Sequence, residues 1–454
     1  MWRLVVFKEK EGVVMGQLQA GTGRVDITPG LGCHIAGYFE DRIAEHIHDP
    51  LYVKALAISD GETTIGLMTI DLVYITSELV EEAKAMIAAR TGVPAHCVMI
   101  SSTHTHTGPA VRAVLGTPAE PGYGETLPQK IADAFVMAYN QRCPAELAHA
   151  SGSCPEEVHN RRWHMKDGTV RMNPGYCNPD AIKPAGPTDP ELGVMIFREK
   201  DSRKPIAVYA NYPLHYVGNN KHCWISADYF GEYATALQRI AGESFMVIMA
   251  NGCQGNINNC DFTRPARKQT DPYHNQRRVA NVIAAETWKQ WSLLREDDFV
   301  DQLTVAATLK MLPFQRRRAS AEDLAKAEKI VAANDHSNAM EWIYANELVK
   351  LEKDVPPSWD VPLHALRVGD VGIVGLHGEV FVEIGLAIKE QSPYKRNLVV
   401  GMANGSSGYI ATDQALSEGS YETRLCRHVC APPGTGPAWI AAAVSALNEL
   451  QPRT

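Results

Sequence analysis

A pair of histidines stands where the sequence predicts the end of a buried strand. His104 and His106 are separated by one residue, so both imidazoles face the same side of an extended segment. That spacing suits one zinc ligand and a neighbouring imidazole that orients it or transfers a proton. Such a pair is only weak evidence for a metal site when it is taken alone. Its place at a strand end, before Thr107-Gly108-Pro109, strengthens the prediction of a metal site.

Three further side chains have the chemistry of metal ligands. His215 follows a second apolar run, Glu379 follows Gly378, and Tyr409 lies in a Gly/Ser loop. Each also has an ordinary explanation. A lone histidine is usually structural, a carboxylate is stabilised by a helix N-terminus, and a tyrosine can cover a sheet edge. Taken together, two imidazoles and a carboxylate are typical of catalytic zinc, which keeps a position open for water. The sequence therefore predicts Zn²⁺ as a cofactor.

The elements that must position these side chains alternate along the chain. Short apolar runs alternate with helical stretches, which predicts an α/β fold. A helix capped by Thr76 or Ser77 and ended by Gly92 separates the first two strands. Polar loops follow most of these strands, and loops at strand ends commonly carry the chemistry of α/β proteins. The strands are expected at residues 65–70, 98–102, 206–210, 245–250, 371–376 and 398–402.

Composition excludes some classes of protein. The chain has 454 residues and a formal net charge of -8, so it lacks the basic excess that nucleic-acid binding requires. No run approaches the ~20 apolar residues of a membrane span. Residues 1–16 are expected to be an N-terminal extension without a signal peptide, and residues 17–454 a single domain. Residues 155–190 are expected to form a long ordered loop. We expect a cytoplasmic protein that acts on a small molecule, and its oligomeric state stays open.

An ordered set of segments resembles the catalytic domain of the neutral, non-lysosomal ceramidases. No single motif is decisive, but the segments follow the family's order over almost the whole chain. The resemblance implies an α/β fold of mixed β-sheets flanked by helices. The matching positions are residues 21–29, 101–109, 160–161, 215, 226–228, 255–258, 378–379, 409 and 421.

The resemblance also implies roles for individual residues. Four of them would ligate zinc, namely His104, His215, Glu379 and Tyr409. The pocket would be lined by His106, Arg161 and Tyr421. In this family the zinc site hydrolyses the amide bond between a fatty acid and sphingosine. For this chain we expect His106 to transfer a proton, with Arg161 or Arg162 binding a polar group of the substrate.

Two features depart from the family's pattern. The loop that carries the family's catalytic serine begins here at Gly255, and Asn258 occupies the position of that serine. An asparagine donates a hydrogen bond to an oxyanion but is not a nucleophile, so Asn258 and Tyr421 are expected to stabilise charge on the carbonyl oxygen. The family also carries a C-terminal immunoglobulin-like domain, and no counterpart is expected before Thr454. Both departures favour a polar, soluble N-acyl substrate.

Alternatives remain open from the sequence. The same zinc site suits an ester, a lactone or a carbohydrate derivative. A metal-binding relative without catalysis is a further alternative, because the serine is replaced. The presence of a second metal is also left open.

Overall fold

The computed structural model describes residues 16–218 and 222–452. The expected N-terminal extension therefore lies outside the described residues except for Gly16. The expectation of a single domain stays a prediction. The largest element is an eight-stranded sheet. Its strands are β1 (Gln19–Asp26), β2 (Tyr52–Ser59), β3 (Thr64–Ile70), β4 (Val98–Ser102), β5 (Cys143–Ser153), β6 (Glu191–Glu199), β7 (Pro205–Tyr212) and β8 (Met246–Asn251). Across the sheet they lie in the order β8-β7-β6-β5-β1-β2-β3-β4.

The eight-stranded sheet is antiparallel in its middle and parallel at both edges. β3 pairs in parallel with β4, and β7 pairs in parallel with β8. The two edges approach each other, because the side-chain amide of Asn251 donates to the carbonyl of Thr103 at 3.2 Å. Residues that follow β4 and β7 in the sequence therefore meet in space.

A four-stranded sheet supplies the bridge between these edges. It contains β9 (Val305–Gln315), β10 (Ser358–Val368), β11 (Val371–Gly375) and β12 (Arg396–Val400), in that order. Immediately after β12, the amide of Gly401 donates to the carbonyl of Asn251 at 3.0 Å. The carbonyl of Met402 accepts from the amide of Ser102 at 3.1 Å. The segment after β12 thus bonds to both edges of the larger sheet.

Helices cover the sheets. They are α1 (Ser77–Thr91), α2 (Leu127–Asn140), α3 (Asp228–Ala241), α4 (His274–Leu293), α5 (Ala321–Ala333), α6 (Ala339–Asp354), α7 (Val382–Gln391), α8 (Asp413–Glu418) and α9 (Thr435–Glu449). α2 packs on β1 and β2, α4 on β5 and β6, and α9 on β9, β10 and β11. α1 starts at the cap expected from the sequence, since the Thr76 hydroxyl accepts from the amide of Leu79, and Gly92 ends it in the left-handed conformation.

Short strands complete the fold and correct one expectation. Residues 155–190 are not a simple loop, because they contain a three-stranded sheet of Arg162–Met165, Val170–Met172 and Ala181–Pro184. A two-residue strand, Glu379–Val380, pairs in parallel with Tyr409–Ile410 and joins two of the expected metal ligands. Among the described residues, none of the helices has the length and apolar composition to cross a bilayer. The expected α/β class with mixed sheets is confirmed.

Candidate active site

Three buried histidines are brought together from the two parallel strand pairs of the eight-stranded sheet, β3–β4 and β7–β8. His104 and His106 follow β4, and His215 follows β7. Their nearest ring nitrogens all lie within 4.8 Å of one another. His104 adopts a left-handed backbone with φ of 68°, a conformation that is uncommon outside glycine and often marks a functional position.

Each imidazole is fixed by a backbone carbonyl on its far side. A carbonyl only accepts hydrogen bonds, so each Nδ1 carries the proton and each Nε2 presents a lone pair. Second partners of this kind commonly orient metal-bound histidines. The three contacts are His104 Nδ1 to Val73 O at 2.5 Å, His106 Nδ1 to Gly37 O at 2.6 Å, and His215 Nδ1 to Gln254 O at 3.1 Å.

The three Nε2 atoms face one another. His104 Nε2 lies 3.1 Å from His215 Nε2 and 3.1 Å from His106 Nε2. Three lone pairs that face each other cannot form hydrogen bonds, so they repel unless a cation lies between them. Zinc–nitrogen distances of about 2.0–2.1 Å separate tetrahedral ligands by about 3.3 Å. The spacing of these nitrogens therefore fits a divalent metal ion.

Glu379 completes the group with a carboxylate. Its Oε2 lies 3.3 Å from His104 Nε2 and 3.6 Å from His215 Nε2. This buried oxygen has no hydrogen-bond partner among the described residues. Burial raises the pKa of Glu379, whereas a hydrogen bond from Tyr409 and the nearby Arg161 guanidinium lower it and favour the ionised carboxylate. An ionised carboxylate with a free oxygen is the chemistry of a metal ligand.

Tyr409 is tied to the cluster through Arg161. The Arg161 guanidinium donates to the Tyr409 oxygen at 3.0 Å, to the carbonyl of Gly255 at 2.8 Å and to Glu422 at 2.8 Å. Burial raises the pKa of Tyr409 well above its ordinary value, so without a bound metal the phenol is neutral. Arg161 therefore fixes the phenol oxygen beside Glu379.

Gly255 has a steric role behind this group. Its amide donates to the carbonyl of Val380 at 2.9 Å. A Cβ atom at Gly255 would lie 2.5 Å from the carbonyl oxygen of Glu379, which is far inside van der Waals contact. The absence of a side chain at position 255 allows the backbone of Glu379 to approach this loop closely.

A cavity of about 480 Å³ opens beside the cluster, a volume typical of small-molecule sites. His104, His106, Glu379, Tyr409 and Tyr421 lie on its wall. His215 is buried behind this wall and meets the other histidines there.

Two of the expected residues lie elsewhere. The Asn258 side chain donates to Asn173 Oδ1 at 2.8 Å and accepts from the amide of Cys260 at 2.9 Å. Arg162 donates to Glu422 at 3.1 Å and to the carbonyl of Gly419 at 3.0 Å. Neither Asn258 nor Arg162 is part of the cavity wall. Their expected roles in oxyanion stabilisation and substrate binding stay predictions.

Some residues near the cluster did not stand out in the sequence. The ring of Tyr216 stacks on His106 with 3.5 Å between centroids and 15° between planes. Arg42 donates to the carbonyl of His106 at 2.6 Å and lies over the ring of Tyr38. Tyr216 follows His215 directly, so an aromatic residue beside a candidate ligand was an available signal. The sequence offers no such signal for Arg42 or Tyr38.

Asp228 has a structural role. Its carboxylate accepts from the backbone amides of Val217, Gly218 and Tyr229 at 2.6–3.2 Å. These bonds fix the segment that follows His215. Asp228 therefore orients the chain at this ligand without contacting the cluster.

Comparisons with known proteins support the fold. No family model matches the sequence, and no curated protein does. The solved structure of neutral ceramidase from Pseudomonas aeruginosa is similar, with a TM-score of 0.73 and 17% identity over 96% of this chain and 76% of that one. A ceramidase complexed with C2 gives a TM-score of 0.72 and 18% identity over the same shares of the two chains. The chain thus has the fold of a neutral ceramidase catalytic domain, as the sequence predicts.

Proposed function

We propose that the protein is a metal-dependent hydrolase that cleaves an amide bond in a polar, soluble N-acyl compound. One observation carries this proposal: three buried histidines direct unprotonated nitrogens toward each other and toward Glu379 at a cavity wall. This is the chemistry of an open catalytic metal site. The likeness to solved ceramidase structures supports amides as the bond type.

The residues that would hold zinc are His104, His215, Glu379 and Tyr409. His106 is a further candidate ligand, because its Nε2 is as close to His104 as that of His215. A bound Zn²⁺ would supply a Lewis acid and a water of lowered pKa. The fit rests on the facing lone pairs and on the unpartnered oxygen of Glu379.

The protein's own residues would move protons and bind charge around that ion. If it is not a ligand, His106 would take a proton from the attacking water and pass it to the leaving amine. Burial lowers the pKa of His106 well below its ordinary value, so the ring is neutral before the reaction. Tyr421, on the cavity wall, would donate to the developing oxyanion. Arg161, which is not part of the cavity wall, would orient Tyr409 through its hydrogen bond to the phenol oxygen.

The cavity wall carries apolar side chains such as Val73, Leu115 and Trp359, and its charged residues favour a substrate that also has polar groups. Glu347 and Arg427 form a bidentate ion pair with contacts of 2.6 and 2.7 Å. Arg112 and Asp354 also line this cavity. A long alkyl chain placed here would remove water from these charges without replacing its hydrogen bonds, which is costly. A polar substrate can replace the hydrogen bonds of the displaced water.

Substitution of the histidines tests the metal site. His104→Ala and His215→Ala each remove a proposed ligand, so bound zinc and turnover should both fall to background by metal analysis and rate measurement. Full zinc stoichiometry in either variant would show that the ligand set is wrong. His106→Gln should retain zinc and lose turnover by about 10²-fold or more. Loss of zinc in this variant would instead make His106 a ligand.

A substrate panel tests the chemistry. Zinc-loaded protein should hydrolyse short polar N-acyl amides faster than a fluorogenic ceramide, an ester, a lactone or a glycoside. The matched control is the same protein treated with a chelator. Turnover that survives the chelator, or no turnover of any substrate, would contradict a metal-dependent hydrolase and favour a non-catalytic relative.

A further inference from the structure

His377 lies between two serine hydroxyls on the wall of the same cavity. Its Nδ1 is 2.9 Å from Ser407 Oγ, and its Nε2 is 2.9 Å from Ser77 Oγ. The Ser77 hydroxyl also lies 3.3 Å from the carbonyl of Asn404. His377, Ser77 and Ser407 all line the cavity, and none of them has a role in the reaction proposed above.

His377 and Ser407 are each two residues away from a proposed metal ligand. Glu379 pairs with Tyr409 in parallel register, and two residues earlier the amide of Ser407 donates to the carbonyl of His377 at 3.2 Å. Two residues of chain span at most about 7 Å. The backbone of the His377–Ser407 pair therefore lies no further than this from the Glu379–Tyr409 pair.

The three side chains form a hydrogen-bond chain with two possible directions. A neutral imidazole carries one proton. If Nε2 carries it, Ser77 donates to Asn404, and Ser407 donates to Nδ1 and offers only acceptor lone pairs to the cavity. If Nδ1 carries the proton, Ser77 donates to Nε2 and the Ser407 hydroxyl is free to donate into the cavity. A ligand hydroxyl, which both donates and accepts, matches either direction.

We propose that His377, Ser407 and Ser77 form a hydroxyl-binding subsite that selects amides with a hydroxyl group close to the scissile carbonyl. This inference rests on the proposed function for the identity of the bond that is cleaved. The hydroxyl lies on either the acyl or the amine side of the amide, and paired probes distinguish the two sides.

The experiment measures binding separately from turnover. Calorimetry on zinc-loaded protein compares N-hexanoylethanolamine with N-hexanoylethylamine, and N-hexyl-2-hydroxyacetamide with N-hexylacetamide. In at least one pair the hydroxylated amide should bind about 10-fold more tightly, the size of one added hydrogen bond. Ser407→Ala should abolish this preference, and Ser77→Ala should reduce it.

Ser406→Ala is the matched control. Ser406 also lines the cavity, but its hydroxyl accepts from the amide of Gly408 at 3.1 Å and takes no part in the chain of hydrogen bonds. The preference should persist in this variant. Equal or undetectable binding within both pairs, or a preference that survives Ser407→Ala, would overturn the subsite. Hydrolysis in the same samples is scored separately, so a hydroxyl preference without turnover would contradict only the proposed function.

Discussion

At the scale of single residues, the candidate site is defined by which imidazole nitrogens carry no proton. The carbonyl of Gly37 occupies one side of the His106 ring, and equivalent carbonyls fix His104 and His215. Lone pairs on the other side are thereby concentrated beside the carboxylate of Glu379. A cation would stabilise such a group, because its own members cannot satisfy one another.

Tyr409 should contribute to metal affinity. In Tyr409→Phe the phenol oxygen that accepts from Arg161 and hydrogen-bonds Glu379 is removed. Loss of a proposed ligand should weaken metal binding by at least the about 10- to 100-fold that loss of a ligand's hydrogen-bond partner costs. Zinc competition with a fluorescent chelator measures the change. Tyr421→Phe is the matched control, since Tyr421 is expected to act on substrate and should leave zinc affinity unchanged. An equal loss in both variants would remove Tyr409 from the metal site.

The sequence indicates ligand chemistry better than it indicates ligand partners. His104, His215 and Glu379 are recognisable because metal binding restricts the residue types to imidazole and carboxylate. The hydrogen bonds of His377 are not predictable from the sequence, because Ser77 and Ser407 lie 300 and 30 residues away from it. The role expected for Asn258 stays a prediction, since its place in a motif does not bring its side chain to the cavity wall.

At the scale of elements, strand ends position the chemistry. β4 ends at Ser102, as expected from its apolar run, and β3 ends at Ile70. These boundaries are predictable because a buried strand is bounded by polar residues on both sides. The sheet within residues 155–190 was missed because its strands are short and lie among proline, glycine and asparagine, which usually indicate loops.

Gly405 should be a sensitive glycine in the loop after β12. It has φ of 125°, and a Cβ at this position would collide with His377 Nε2 and Ser77 Oγ. Gly405→Ala should therefore lower the free energy of unfolding by about 3 kcal/mol or more, from backbone strain plus overpacking. Urea unfolding measures the loss.

Gly92→Ala provides the comparison for that prediction. Gly92 also has positive φ, 76°, but a Cβ there meets nothing within 4 Å. The cost should be about 1 kcal/mol, from backbone strain alone. Equal losses in the two variants would show that close packing around His377 is absent.

At the scale of the whole molecule, a buried histidine joins the two sheets. His364 lies in β10, and its Nε2 donates at 2.7 Å to the carbonyl of His96, just before β4. Its Nδ1 is 3.3 Å from the side-chain amide of Asn404. Burial lowers the pKa of His364 to about 3. The folded protein therefore requires this ring to be neutral.

This histidine should make the fold sensitive to acid. Its pKa is about 6.5 when unfolded and about 3 when folded, so the unfolded chain takes up the proton first as pH falls. The stabilisation is complete above about pH 6.5 and is lost progressively toward pH 3. Between pH 7 and 5 the loss should be about 2 kcal/mol.

A histidine comparison checks this acid sensitivity. His364→Gln should lose less stability between pH 7 and 5 than the unsubstituted protein, as measured by urea unfolding with chelator present. His336→Gln, at an exposed loop position, should retain the full dependence. Identical pH dependence in all three proteins would show that His364 is not the group responsible.

The joining of both sheet edges by the segment after β12 has a consequence for biosynthesis. The histidines are translated early, but Glu379, Tyr409 and the bridge at Gly401 and Met402 come from the last fifth of the chain. Because the ribosome synthesises the chain from its N-terminus, His104 and His215 would be made well before the other two proposed ligands, Glu379 and Tyr409. Metal loading would therefore be a late event, and a nascent chain stalled before Tyr409 would expose paired imidazoles without the rest of their site.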